Sequence, residues 1–153
     1  MTDPRERSRQ DTLLHISKVQ TRMEECIAFL KARANAHDLS KLQEPELSGY
    51  ASLSAQLSEI EYGSPEYRQA LADARPTIQH HYAANDHHPE HWPNGVADMS
   101  LLALLEMVCD WKAASERVKQ GGIDQSLQVN EARFGLDPQL ASILRAMIVE
   151  LGW

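Results

Sequence analysis

Residues 11–34 read DTLLHISKVQTRMEECIAFLKARA. Ile16, Val19, Met23, Cys26, Ile27 and Leu30 return every three or four positions, with mostly polar residues between them. That period places the apolar side chains on one stripe of an α-helix, a stripe that is expected to be buried. His15 stands at the head of the stripe and is expected to face inward. The same period recurs downstream. Ser64-Pro65-Glu66 sets a hydroxyl before a proline and an acid, the order in which helices start. Tyr67, Leu71, Ala74, Ile78 and His81 form the stripe that follows, with a kink expected at Pro76. Ser100 opens a helix with Leu101, Leu104, Leu105, Val108 and Cys109 on its apolar face, closed by Gly121-Gly122. Asp137-Pro138 opens the last helix, about 137–151, which turns Leu140, Leu144, Met147, Ile148 and Leu151 to the core. Shorter helical segments are predicted over 39–43 and 49–60, and a loop over 83–98. No strand-like alternation is sustained, so the predicted fold is all-α: a bundle of five or more helices in a single domain over 1–153.

Composition agrees with one such domain. The chain has 153 residues, 42% of them hydrophobic and 24% charged, enough to bury one core without disulfides. No apolar run approaches the roughly 20 residues of a membrane span. MTDPRERSRQ at the start lacks the apolar stretch of a secretory signal. A net charge of −7 argues against a protein that coats nucleic acid, which needs a basic face. Cys26 and Cys109 lie in no paired motif and read as buried free thiols of a reducing compartment, so the expected localisation is cytoplasmic. A homo-oligomer is left open.

The histidines carry the functional signal. There are seven, and His80, His81, His87, His88 and His91 fall within twelve positions. A solvated surface has no need of such clustering, whereas a metal site does. Asp110 lies among Val108, Cys109 and Trp111 in an apolar helix, with Glu106 one turn earlier. A buried carboxylate there must be paired or hold a cation; a salt bridge to Lys112 or Arg117 is the plainer account. His37-Asp38 offers a nitrogen and an oxygen donor at a helix start. His15, His37, Asp38 and Asp110 together make a mixed nitrogen–oxygen set on three helices, suited to a divalent transition metal.

An ordered His…His-Asp…Asp set on a helical scaffold resembles the HD-domain metal-dependent phosphohydrolases. HDLSK (37–41) is similar to the HD-x-x-K form of several branches. HHYAANDHHPEHW (80–92) and LLEMVCDWKAAS (104–115) resemble a small uncharacterised HD-like family of phages and bacteria. The resemblance covers roughly residues 10–120, and it implies a compact HD-like bundle with one or two metal ions. Manganese, iron, cobalt, nickel or zinc would serve, with magnesium also allowed. His15, His37, Asp38 and Asp110 would hold the primary ion. His81, which continues a buried stripe, and His87 and His88, in the loop, would form a second metal site or a phosphate cradle. No HD-x-G-Y-P motif follows, which argues against cyclic-di-nucleotide hydrolysis.

The implied activity is hydrolysis of a small phosphorylated metabolite, a nucleoside mono- or triphosphate, by attack of metal-held hydroxide on phosphorus. Lys41 would stabilise phosphate charge, Glu46 would act as acid or base, and His88 would donate a proton. Asn85, Trp92 and Lys112 would contact substrate. Asn85 and Glu90 would alternatively orient the histidines, while Trp92 and Lys112 also fit a core cap and a surface lysine. Two other functions fit the same residues: a histidine-rich di-iron oxygenase, and a non-catalytic metal-stabilised protein that binds a host component.

Overall fold

The computed structural model of the protein describes residues 3–61, 63–117 and 121–153. It is all-helical, with seven α-helices and no strand among the described residues. The chain divides into two units, residues 1–37 and 38–153.

The first unit is one helix, α1 (Pro4–Ala36). It starts seven residues ahead of the predicted position because Asp3-Pro4 is itself a start signal. The Asp3 carboxylate accepts from Arg5 N–H at 3.0 Å, and proline occupies the first turn, where its missing N–H costs nothing. The predicted stripe is present in register but is not buried. Ile16, Val19, Met23 and Ile27 are exposed, as are Cys26 and His15. A single helix contains no second element to bury its own stripe against.

The second unit holds six helices: α2 (Glu46–Leu57), α3 (Pro65–Asp73), α4 (Arg75–Ala84), α5 (Leu101–Ser115), α6 (Ile123–Phe134) and α7 (Pro138–Glu150). Single 3-10 turns lie at Leu39–Leu42, Pro89–His91 and Gly95–Asp98. The predicted caps are in place. Ser64 Oγ accepts from Tyr67 N–H at 3.0 Å, Ser100 Oγ from Ala103 N–H at 3.1 Å, and Asp137 from Gln139 N–H at 2.8 Å. Pro76 does more than kink its helix: α3 ends at Asp73, and α4 begins afresh with Pro76 in its first turn. The second short segment begins at Glu46 rather than Gly49, and the helix opened by Ser100 ends at Ser115, ahead of Gly121-Gly122.

Helices α5, α6 and α7 make the apolar core. Ala103, Leu104, Met107 and Val108 of α5 pack with Ile123 and Leu127 of α6 and with Leu144 and Ile148 of α7. The buried face of α5 is thus rotated from the predicted one. Leu101 and Cys109 are exposed, and Ala103 and Met107 take their place. Helix α6 was not among the predicted elements. Gly135, in the left-handed region at φ 61°, ends it, a conformation that glycine adopts without steric penalty.

Helices α2 and α4 approach closely at Gly49. A Cβ there would meet the Thr77 side chain, with Cγ2 at 2.6 Å and Cβ at 2.9 Å. Threonine is branched at Cβ and cannot swing away. In an open helix Gly→Ala gains roughly 1 kcal/mol; here the clash reverses the sign. Gly49→Ala is expected to lower unfolding free energy by about 1–3 kcal/mol in urea titrations. An unchanged or raised stability would show that the two helices have room to part. This contact places Glu46, one turn before Gly49, beneath His80 and His81, one turn after Thr77.

Candidate metal centre

Asp38 leaves the helical path at once. Its backbone is left-handed, φ 57° and ψ 13°, a conformation that short polar side chains tolerate best among non-glycine residues. Lys41 Nζ reaches back to Asp38 Oδ2 at 2.6 Å, which leaves Oδ1 for the interior. There Oδ1 lies 3.3 Å from His81 Nε2 and 3.5 Å from His87 Nε2.

His81 comes from the last turn of α4 and is 1% exposed. Helix α4 stops at Asn85, whose backbone is extended and whose amide donates to the His81 carbonyl at 2.8 Å, one of the acceptors a helix end leaves open. The chain then turns back. His88 N–H bonds to Asn85 O at 3.3 Å, and Trp92 Nε1 donates to Asp86 O at 2.8 Å. This loop folds His87, 2% exposed, and the half-buried His88 against His81. The His81 and His88 Nε2 atoms are 2.9 Å apart, and the His87 and His88 ring centres 4.2 Å.

Asp38, His81, His87 and His88 therefore each offer one ligand atom, all within 4.8 Å of one another. Three imidazoles and one carboxylate fit a divalent transition ion, whose ligands are commonly imidazole with carboxylate. Further electrostatics favour neutral imidazole, the form that binds metal. Burial, and then the neighbouring His87 and His81, lower the His88 pKa to about 3, against the opposing pull of Asp110 and Asp38. Tyr50, edge-on to the His81 ring with centres 5.8 Å apart, is pushed up to about 12 by burial and by the nearby Glu46 charge, so its phenol stays neutral.

The other predicted residues take varied places. Asp110 is half-buried on α5 and close enough to act on His88 electrostatically. His15 and His37 belong to the first unit, His15 exposed on α1 and His37 half-buried at its C-terminal end. Glu46 is wholly buried; its carboxylate meets His80 Nδ1 at 2.8 Å, His81 Nδ1 at 2.9 Å and Ser40 Oγ at 2.9 Å. It stands behind His81, on the far side from Asp38. Asn85 donates to Ser40 Oγ and to the His81 carbonyl, each at 2.8 Å, contacts that fit the orienting role. Trp92 packs against the core, and Lys112 pairs with Glu116 at 2.6 Å. Glu90 pairs with Arg133, and His91 is exposed, bonded through Nδ1 to Tyr82 O. Sequence reasoning missed Glu106 as a partner of the site: its carboxylate lies 3.1 Å from His87 Nδ1. Its signal was the place it shares with Asp110, one turn apart on the face of α5 that meets the histidine loop.

The fold and site together define an all-α protein with a half-buried histidine–carboxylate cluster that could hold a metal ion. The chain belongs to the DUF5662 family, a family of unknown function, whose model matches residues 5–150. No curated protein and no solved structure matches it.

Proposed function

We propose that the protein is a divalent-metal-dependent phosphohydrolase of the HD-domain kind, acting on a small phosphorylated metabolite such as a nucleotide. The observation that carries this reading is the convergence of Asp38, His81, His87 and His88, with ligand atoms within 4.8 Å of one another. The resemblance of HDLSK and of the histidine-rich run to HD-domain motifs points the same way. A nitrogen-rich donor set favours manganese, iron, cobalt, nickel or zinc over magnesium, which prefers oxygen. Lys41 already occupies Asp38 Oδ2, so the cluster reads as a one-ion site. A bound divalent cation would supply Lewis-acid activation of a phosphoryl oxygen and of water. The Lys41 ammonium, 39% exposed at its side chain and paired with Asp38 Oδ2, would offer its free N–H groups to a phosphate oxygen.

Metal analysis of protein purified without chelator, followed by a phosphate-release screen on nucleoside mono- and triphosphates with each metal, tests the reading. Chelator-sensitive phosphate release is expected. Stoichiometric metal without release from any phosphorylated compound would overturn the hydrolase, and oxygen uptake by the ferrous form would replace it with an oxygenase.

A further inference from the structure

Each of the two buried histidines has a carboxylate directly behind it. Glu46 Oε2 lies 2.9 Å from His81 Nδ1, and Glu106 Oε1 lies 3.1 Å from His87 Nδ1. In both rings the other nitrogen, Nε2, faces Asp38 Oδ1. We propose that Glu46 and Glu106 are positioning residues, which hold the protons of His81 and His87 on Nδ1 and thereby present both Nε2 lone pairs to an ion beside Asp38. This rests on the reading of the cluster as a metal site.

The hydrogen-bond network around Glu46 leaves one consistent assignment. A neutral imidazole carries its proton on one nitrogen and accepts at the other. Three groups that can donate converge on the Glu46 carboxylate, His80 Nδ1 at 2.8 Å, Ser40 Oγ at 2.9 Å and His81 Nδ1 at 2.9 Å. An ionised carboxylate only accepts, so the nitrogen that faces it must donate. Asn85 Nδ2 also lies 3.0 Å from His81 Nδ1 and would compete as a donor to it. Both its amide hydrogens are already spent, one on Ser40 Oγ and one on the His81 carbonyl, each at 2.8 Å. Ser40 in turn spends its hydroxyl hydrogen on Glu46 Oε2. Glu46 therefore collects three donors, Ser40, His80 and His81, and the proton of His81 sits on Nδ1. Glu106 repeats the arrangement behind His87 from a different helix.

The consequence is chemical as well as geometric. A carboxylate behind a ligating imidazole fixes the tautomer, stops the ring rotating and raises the basicity of the ligating nitrogen. It also gives His80 a part in the site. His80, 49% exposed at its side chain, holds Glu46 Oε1, while His81 faces Oε2.

Long-range proton–nitrogen correlation on metal-free, histidine-labelled wild type should find His81 and His87 protonated at Nδ1. A ring protonated at Nε2 would overturn the proposal without any variant being made. Cobalt titration of wild type, Glu46→Met, Glu46→Gln and Glu106→Met, read by visible absorption, completes the test. Both methionine variants should bind cobalt about 10–100-fold more weakly and shift its bands. Glu46→Gln, which keeps one acceptor oxygen, should recover part of the loss. Methionine variants with wild-type affinity and bands would overturn the positioning role alone. Wild type that takes up no cobalt would overturn the metal reading itself, and the role of the two glutamates with it.

Discussion

Asp38→Asn should strip the protein of bound metal. Asparagine keeps the shape of aspartate and tolerates the same left-handed backbone, so the turn at φ 57° should survive the change. What goes is the anionic oxygen that lies 3.3 Å from His81 Nε2 and 3.5 Å from His87 Nε2, the one carboxylate in the group of four. A second loss follows from Lys41. Its ammonium, 2.6 Å from Asp38 Oδ2, is neutralised in wild type and becomes an uncompensated positive charge beside the ion in the variant. Both effects oppose cation binding. The fall in affinity should exceed the roughly 10–100-fold that loss of an outer partner costs. It is measured by metal content after chelator-free purification. Melting supplies an independent check, because metal that binds only the folded state stabilises it by mass action, about 2.7 kcal/mol at a hundred times the dissociation constant. Chelator should lower the melting temperature of wild type and leave that of Asp38→Asn where it is. A variant that keeps stoichiometric metal would remove Asp38 from the site.

The parts of the fold that local chemistry specifies were legible in the sequence. Ser64, Ser100 and Asp137 start helices because a side-chain oxygen satisfies an open backbone N–H, and that needs no distant partner. His81 was legible as buried because it continues a stripe at helical spacing. The phase of α5 was not. LLALLEMV is apolar around most of its circumference, so periodicity alone does not choose between Leu101 and Cys109 on one side and Ala103 and Met107 on the other. Helix α6 escaped because its buried positions are Ile123, Leu127 and a polar Asn130, too few apolar residues for a stripe. The stripe of α1 was read correctly as a stripe and wrongly as buried: amphipathicity shows that a face is apolar, and only tertiary structure shows what lies against it. The same division runs through the site. Histidine clustering announced a metal-binding region, but the pairing of Glu46 with His81 and of Glu106 with His87 joins residues far apart in the chain. Only the close approach of helices such as α2 and α4 at Gly49 brings such groups together.

Metal-free protein should lose stability as pH falls below about 6.5, well before ordinary carboxylates protonate. The lever is His88. Its folded pKa of about 3 lies below the ordinary histidine value of 6.5, chiefly because burial disfavours the charged ring. Between those two values the unfolded chain binds a proton that the native state does not. Unfolding free energy therefore rises with pH through this window and is flat, for this group, above it. The contribution is complete above 6.5 and is lost progressively toward 3. Uptake of one proton on unfolding gives a slope of at most about 1.4 kcal/mol per pH unit, which falls toward half as pH approaches 6.5, where the unfolded ring is half protonated. The partial exposure of His88 narrows the window rather than the slope. Glu46 acts in the same direction but at lower pH. Its carboxyl lies below 4.5 in the folded state, so its contribution is present above 4.5 and fades as pH falls through the folded value. The interval from about pH 5 to 6.5 thus lies above the range in which Glu46 acts, and the difference from a His88 variant separates His88 from the other histidines. Urea titrations of chelator-treated wild type and His88→Asn across that interval make the comparison. The wild-type slope should be positive, and the variant's should be flatter. Equal slopes would show that His88 titrates as an exposed histidine does, and that the ring is not held neutral for a metal ion by its surroundings.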